Sequence, residues 1–447
     1  MLSIHAFSSQ NPYNPRTIMR HFIFQNLLSR LTPWMMWGLG VSAFFIEYII
    51  RVAPASMVPS LMETFKASPL DISAFGAYFL YAYVLMQIPV GLLVDRFGAR
   101  ICLSLSTGIC AFSTFLFAMT EYLWIAQLAR FLLGFGAAFA LVGALKLALM
   151  WFKPQSFSII VGLSQALGMV GGAAGVAIMG RLAELENWQI STEILGWFLA
   201  SLACLIALFV RNEPFKKIST NSTTSTKETK TTIPILESIK IVFRHPQTWL
   251  IAIFAGLLYM PTAVVAELWG SFYFTTTQGI TTTAANDGMS IIFVGWALGG
   301  PLSGVFANRF GRRPVMIFSS FSSMILITAI LYLPALPLPF LYGLLFMYGL
   351  SNSGMTAAYT AIAELNPKAV AGVALAFGNG MSVIIGAFCQ QIIGALIDWL
   401  QSNPMFIGSD NQTQSLKIAM LLVVVGVVAA FIVSLFTRET LNSVAEQ

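Results

Sequence analysis

Apolar runs of about 20 residues, the length of helix that crosses the hydrocarbon core of a bilayer, recur along nearly the whole chain. They fall at residues 33–58, 72–94, 101–120, 122–150, 156–180 and 192–210, and again at 248–275, 288–307, 314–334, 338–364, 370–397 and 416–436. The pattern predicts an all-α polytopic membrane protein with 12 transmembrane helices in two sets of six. Between the sets lies a polar stretch, residues 211–232, whose low-complexity segment STNSTTSTKETKTT has too little apolar surface to order itself. The chain therefore divides into an N-terminal tail (1–32), a six-helix bundle (33–210), a linker (211–247), a second six-helix bundle (248–436) and a C-terminal tail (437–447).

Composition agrees: 57% of the 447 residues are hydrophobic and 9% charged, against roughly 25% charged in an average soluble domain. A net charge of +6 raises the question of a nucleic-acid partner, which the placement of the cations answers. With a cytoplasmic N-terminus and alternating spans, one side receives Arg16, Arg20, Arg30, Arg96, Arg100, Lys153, the basic residues between 211 and 244, Arg309, Arg312, Arg313, Lys368 and Arg438. The other side keeps Lys66, Arg181 and Lys417. This asymmetry follows the positive-inside rule and predicts both termini in the cytoplasm, with the bilayer as the partner and no nucleic acid. Cys102, Cys110, Cys204 and Cys389 all lie in apolar runs, where cysteine behaves as a small hydrophobe; no disulfide, metal site or cofactor is expected. The first 30 residues have no compact apolar core followed by a small-residue cleavage site, and read as a cytoplasmic tail. The compact layout suggests a bacterial inner membrane and a monomer.

The halves repeat. GLLVDRFGAR begins at Gly91 and GVFANRFGRR at Gly304, an offset of 304 − 91 = 213, while Gly172 with Gly386 and Gly180 with Gly394 are each offset by 214. A parallel repeat of two six-helix units is the internal symmetry of an alternating-access transporter whose site lies between them. The first of these segments resembles the loop between helices 2 and 3 of the major facilitator superfamily, G-x-L-x-D-R-x-G-R-R. Gly91, Leu93, Asp95, Arg96, Gly98 and Arg100 match, and Ala99 departs from the pattern. The second copy keeps Gly304, Arg309, Gly311, Arg312 and Arg313 but has Asn308 in place of the acid, which weakens its charge relay. A tight glycine turn brings two helix ends together there, so the Asp and Arg are placed to bridge to the other half and latch one of two states. Arg130, Gly134 and Gly136 are similar to that superfamily's R-x-x-x-G-x-G element, and the resemblance runs from about Trp34 to Phe436. GLSQALGMVGGAAG lacks the proline of the G-P element of drug antiporters, which points away from multidrug efflux. YAYVLMQIPVGLLVDRFG and ALKLALMWFKPQSFSIIVGLSQALGMVGG resemble bacterial relatives of the lysosomal dipeptide transporter branch, and more loosely organic anion/proton symporters of the sialic acid transporter kind.

Charged residues inside the spans are the candidates for function, because each costs about 2.5–3.5 kcal/mol at a lipid-facing helix centre and must meet a partner or a watery cavity. Glu47 and Arg51 stand one turn apart on helix 1; either they neutralise each other structurally, or substrate binding or protonation of Glu47 breaks the pair. Lys146 on helix 4 has no acid at helical spacing and no charged counterpart in the second half, which makes it the leading candidate for a substrate carboxylate. The plainer reading has it snorkel to the cytoplasmic interface. Arg130, sixteen residues earlier, points about 160° away on an ideal helix, and by the superfamily resemblance braces helix 4 against helix 1, with a place in the cavity as the alternative. Glu267, beside Trp269 on helix 7, is placed to bind a substrate amine or carry a proton, or else is an interfacial acid with no transport role. Glu364, at the inner end of helix 10, is expected to pair with Arg312 or Arg313 in the gate.

His5, His21 and His245 fall outside the spans, so a proton carrier within them has to be a carboxylate that burial favours in its neutral form, Glu47 or Glu267. Tyr78, Tyr81, Gln87, Gln165, Trp296, Asn352 and Asn379 either line the path or pack helices. The leading expectation is proton-coupled transport of an amino acid or short peptide, bound by Lys146, Arg51, Glu267 and Trp269. A carboxylated organic anion or acidic chelate clamped by Lys146 and Arg51 is the second, and a membrane sensor that kept the transporter fold the third. An enzyme is not expected, for the chain has no nucleotide-binding P-loop, no H-E-x-x-H and no nucleophile elbow at a membrane face.

Overall fold

The computed structural model describes residues 15–185, 187–212, 234–334, 336–403 and 411–441. The rest of the expected tails and linker, residues 1–14, 213–233 and 442–447, lies outside the described residues. The first half comprises α1 (Pro15–Val52), a 3₁₀ turn (Ala53–Ser56), α2 (Val58–Phe65), α3 (Pro69–Phe97), α4 (Ala99–Met119), α5 (Leu123–Trp151), α6 (Pro154–Leu185) and α7 (Trp188–Phe209). The second half has α8 (Ile235–Phe243), α9 (Pro246–Pro261), a π-helical segment (Thr262–Trp269), α10 (Gly270–Gln278), α11 (Thr282–Phe310), α12 (Arg312–Tyr332), α13 (Leu338–Asn352), α14 (Met355–Leu365), α15 (Ala371–Ser402) and α16 (Asn411–Leu435).

Among the described residues, eleven helices are long and apolar enough to cross a membrane. The run expected at 338–364 is divided between α13 and α14, joined at Ser353–Gly354 by a tightened turn with i→i+3 bonds such as Gly354 N to Ser351 O at 3.1 Å. Gly354 lies so close to the Ser319 side chain of α12 that a Cβ has no room. Helix α1 begins at Pro15, well before the expected span, whose apolar part starts near Leu31.

Local chemistry sets the helix ends. At the start of α3, Ser68 Oγ accepts from Asp71 N at 3.2 Å while Asp71 Oδ2 accepts from Ser68 N at 3.0 Å, a reciprocal cap followed by Pro69 at the first helical position. Gly98 (φ +83°) and Gly311 (φ +102°) end α3 and α11 in a backbone conformation that L side chains avoid, and they occupy matching places in the two repeats.

Consecutive spans run antiparallel, so the start of α1 and the ends of α7 and α16 share one face of the bundle, called here the tail face. Contacts confirm it: Trp151 Nε1, at the end of α5, donates to Arg211 O at 3.1 Å, and Arg438 N donates to Gln247 Oε1, at the start of α9, at 3.0 Å. Across the halves α3 packs on α15 and α6 on α11. These seams are drawn tight at the opposite, far face. Gly394 of α15 lies 2.7 Å (as an added Cβ) from Pro69 O, and Gly180 of α6 abuts Asn286 of α11. Arg181 forms an ion pair with Asp287 at 2.7 Å, Thr283 donates to Glu184 at 2.9 Å and Leu70 N donates to Asp398 at 3.2 Å. The described conformation is therefore closed at the far face.

Candidate functional site

The seventh span, made of α9, the π-helical segment and α10, carries the main departure from regular geometry. Pro261 has no N–H to continue the α-helical ladder, and the chain widens into a π-helical segment in which Gly270 N bonds to Val265 O, five residues back. Such bulges re-aim side chains and gather at functional sites. Here the segment delivers Glu267 to the seam between halves. Arg51 Nε donates to Glu267 Oε2 at 3.2 Å, Tyr259 donates its hydroxyl hydrogen to Glu267 Oε1 at 2.5 Å, and Arg51 Nη2 also bonds the Tyr259 hydroxyl. Arg51 and Glu267 are 6% and 5% exposed, so this is a buried, two-pronged ion pair that ties the first half to the second. The rings of Tyr48, Tyr83 and Tyr259 surround the guanidinium, their centroids 5.3, 5.9 and 5.8 Å from Cζ.

Glu47 stands one turn before Arg51 on α1, 3% exposed, and neither of its carboxylate oxygens has a hydrogen-bond partner among the described residues. The expected Glu47–Arg51 pair is thus replaced: Arg51 reaches across to Glu267 and Tyr259, which offer two acceptors in line with the guanidinium fork. Arg130 donates to the backbone carbonyls of Phe75 (3.1 Å), Ile50 (2.9 Å) and Arg51 (3.1 Å). It holds α5 against α1 and α3 and fixes the very turn that carries Arg51. Trp269 Nε1 donates to Ser73 Oγ at 3.2 Å, a buried bond across the seam on the far side of the pair.

Lys146 does not join this cluster. Its Nζ pairs with Asp95 Oδ1 at 2.6 Å, and both side chains are substantially exposed, 33% and 68%. The carboxylate clamp of Lys146 with Arg51 is therefore not assembled in this conformation. Asp95, expected to bridge the halves, stays in its own half for the same reason.

The two glycine-turn loops repeat each other in detail on the tail face. Arg100 Nε donates to Ala207 O at 2.8 Å and Arg313 Nη2 to Leu435 O at 2.9 Å, so each arginine satisfies a free carbonyl at the end of its half's sixth span. Arg96 and Arg309 lie over the next residue's ring, Phe97 and Phe310, at 5.4 and 5.5 Å. Arg100 N donates to Asn212 Oδ1 at 2.9 Å; the matching amides, Arg312 N and Arg313 N, donate to Glu439 at 2.9 and 3.0 Å. Gly98 and Gly311 leave room for those capping side chains, and Gly91 faces open space. Glu364 accepts from Arg312 Nη2 at 2.8 Å, and Arg312 Nη1 donates to Asn308 at 2.7 Å. Sequence reasoning missed Asn212 and Glu439; the signal was their placement just past the sixth span of each half.

Partial burial opposes ionisation of Glu439, but hydrogen bonds from the N–H groups of Leu441, Arg312, Arg313 and Thr440 outweigh it and hold the carboxyl below its ordinary 4.5. A depressed native value stabilises the fold above the ordinary value and ceases to do so as pH falls through the native one. Glu439→Ala is therefore expected to cost about 1 kcal/mol at neutral pH, as helix N-caps do, with the deficit vanishing below about pH 4.5. Thermal unfolding of parent and variant across pH 3–8 checks it.

A bundle of two six-helix repeats, with a buried ion pair across the seam and glycine-turn loops in register, defines a transporter fold, and the family assignment follows. The chain belongs to the major facilitator superfamily, whose family model matches residues 40–389. It is similar to the uncharacterized transporter YybO of Bacillus subtilis (27% identical, over 37% of this chain and 38% of that one). It also matches the probable sulfoacetate transporter SauU of Cupriavidus necator (25% identical, over 41% and 43%) and the lysosomal dipeptide transporter MFSD1 of Bos taurus (22%, over 79% and 77%). The matched stretch thus spans less than half the length of the first two relatives. In fold it is similar to a bacterial homologue of the human lysosomal transporter Spinster, solved inward-facing and unoccupied, with TM-score 0.74, 16% identity, and coverage of 91% of this chain and 98% of that one. The protein is a multi-span membrane protein with that superfamily's fold.

Proposed function

We propose that this transporter moves a small carboxylate-bearing metabolite, together with a proton, by alternating access across a bacterial inner membrane, as a monomer with the tail face in the cytoplasm. The observation that carries this reading is the Arg51–Glu267 pair across the seam with Glu47 unpartnered one turn away. A guanidinium held by a single carboxylate exchanges partners readily with another carboxylate of the right reach, and in doing so loosens the joint between halves. A buried carboxyl without partners is least costly as the neutral acid. With Glu47 neutral, the two arginines outnumber the remaining carboxylate by one charge, and the site accepts one anion; with Glu47 ionised it is balanced. One proton then travels with one negative charge.

Two relatives support a carboxylate: sulfoacetate and dipeptides, after which those transporters are named, both carry one. An amphoteric substrate inserts into the pair, carboxylate to Arg51 and amine to Glu267, whereas a pure anion displaces Glu267. Glu267→Gln separates the two, weakening only the former.

The test is proteoliposome uptake against an imposed pH gradient, screening monocarboxylates, dicarboxylates, amino acids and dipeptides, with Lys146→Ala beside the parent. Gradient-driven uptake of a carboxylate is expected, and Lys146→Ala should retain it within about fivefold, since an exposed pair is worth at most about 1 kcal/mol. Uptake indifferent to the gradient sinks proton coupling. Loss of uptake in Lys146→Ala moves the carboxylate site from α1 to α5.

A further inference from the structure

On the tail side of Arg51 the seam holds a second polar group, made entirely of uncharged side chains. Asn379 Nδ2 of α15 donates to Gln87 Oε1 of α3 at 3.0 Å, across the halves. Tyr359 of α14 donates to Asn379 Oδ1 and reaches Ser382 Oγ, each at 3.3 Å. Tyr83, one turn before Gln87 on α3, reaches both amides, and its ring is one of the three around Arg51. Exposure rises along this line: Arg51 and Tyr83 are buried, while Tyr48, Gln87, Tyr359 and Asn379 are half-buried.

We infer that Gln87 and Asn379, with Tyr83 and Tyr359, form a neutral subsite that binds the uncharged hydrogen-bonding body of the substrate, hydroxyl or amide, while its carboxylate lies on Arg51. This rests on the carboxylate reading above and narrows it to polyhydroxy or amide-bearing monocarboxylates. The chemistry follows from the donor set. Two side-chain amides and two phenols offer donors and acceptors in both senses, and they share their hydrogen bonds with one another across a seam that must part. A ligand hydroxyl or amide can replace the Gln87–Asn379 bond at little cost. An alkyl chain leaves both amides unpaired in a half-buried place, and a second carboxylate finds no cation there.

The test uses purified protein in lipid nanodiscs and four probes of similar length: gluconate, N-acetylglycylglycine, hexanoate and adipate. In the parent, gluconate or N-acetylglycylglycine should bind at least about tenfold tighter than hexanoate and adipate, the worth of one or two well-made hydrogen bonds. Gln87→Leu and Asn379→Leu should erase that preference, weakening the polar probes while hexanoate binds at least as tightly as in the parent, and a cooperative thermal unfolding transition shows that each variant is folded. A preference that survives both substitutions, or hexanoate binding as well as the polar probes in the parent, overturns the subsite and leaves the carboxylate reading standing. Binding of none of the four acids overturns the carboxylate reading and the subsite with it.

Discussion

Arg51→Ala is expected to abolish gradient-driven uptake and to lower stability by about 3–5 kcal/mol, the usual cost of removing one partner from a buried ion pair. The side chains of Arg51 and Glu267 are 5% and 3% exposed, so the abandoned carboxylate has little water to turn to. Only the Tyr259 hydroxyl, of its described partners, still serves it. The double variant Arg51→Ala/Glu267→Ala removes the stranded charge as well and should recover most of the lost stability while remaining inactive. That split between folding and transport separates a substrate-binding arginine from a merely structural one. Arg51→Lys keeps the charge but gives up the fork that reaches Glu267 and Tyr259 together, so it should fold and transport poorly. Thermal unfolding and proteoliposome uptake on the same preparations provide both readings. Full uptake in Arg51→Ala sinks the assignment.

The spans, their pairing into halves and the glycine-turn loops were legible because each is written locally: a run of apolar residues, or a motif seen twice at one offset. Gly98 and Gly311 take positive φ in matching places, as a doubled tight turn demands. What was hidden depends on distance in sequence. Arg51 and Glu267 are 216 residues apart, and spacing within helix 1 offered only Glu47 as a partner. Lys146 looked unpaired because its acid, Asp95, is 51 residues away on another span. Arg130 spends its donors on backbone carbonyls, which no side-chain pattern records. The break between α13 and α14 did have a signal, the turn-forming residues Ser351, Asn352, Ser353 and Gly354, masked by the apolar run around them. The π-helical segment had half of one: Pro261 marks where the ladder is interrupted, but not whether the helix kinks or widens.

Glu47→Gln should leave exchange intact and remove accumulation. The substitution keeps the shape of the neutral acid at a position where neither oxygen has a partner, so folding and substrate binding have little reason to change. What it removes is the ability to release a proton on one side and take it up on the other. One proton carried per cycle down a gradient of one pH unit is worth about 1.4 kcal/mol and supports up to about tenfold accumulation of substrate. The parent should approach that ratio, whereas Glu47→Gln should level at equal concentrations inside and out, with substrate counterflow within about threefold of the parent. On the proposed mechanism, the placement of Glu47 makes this carboxylate rather than Glu267 the carrier. In this conformation, closed at the far face, Glu267 is engaged by Arg51 and Tyr259, and its charge ties one half to the other. Glu47 shares a helix turn with Arg51, which Arg130 anchors through the Ile50 and Arg51 carbonyls, so its charge acts on the Arg51 guanidinium without belonging to the joint between halves. Accumulation at the parent level in Glu47→Gln would transfer the proton to Glu267 and make the joint itself the coupling device.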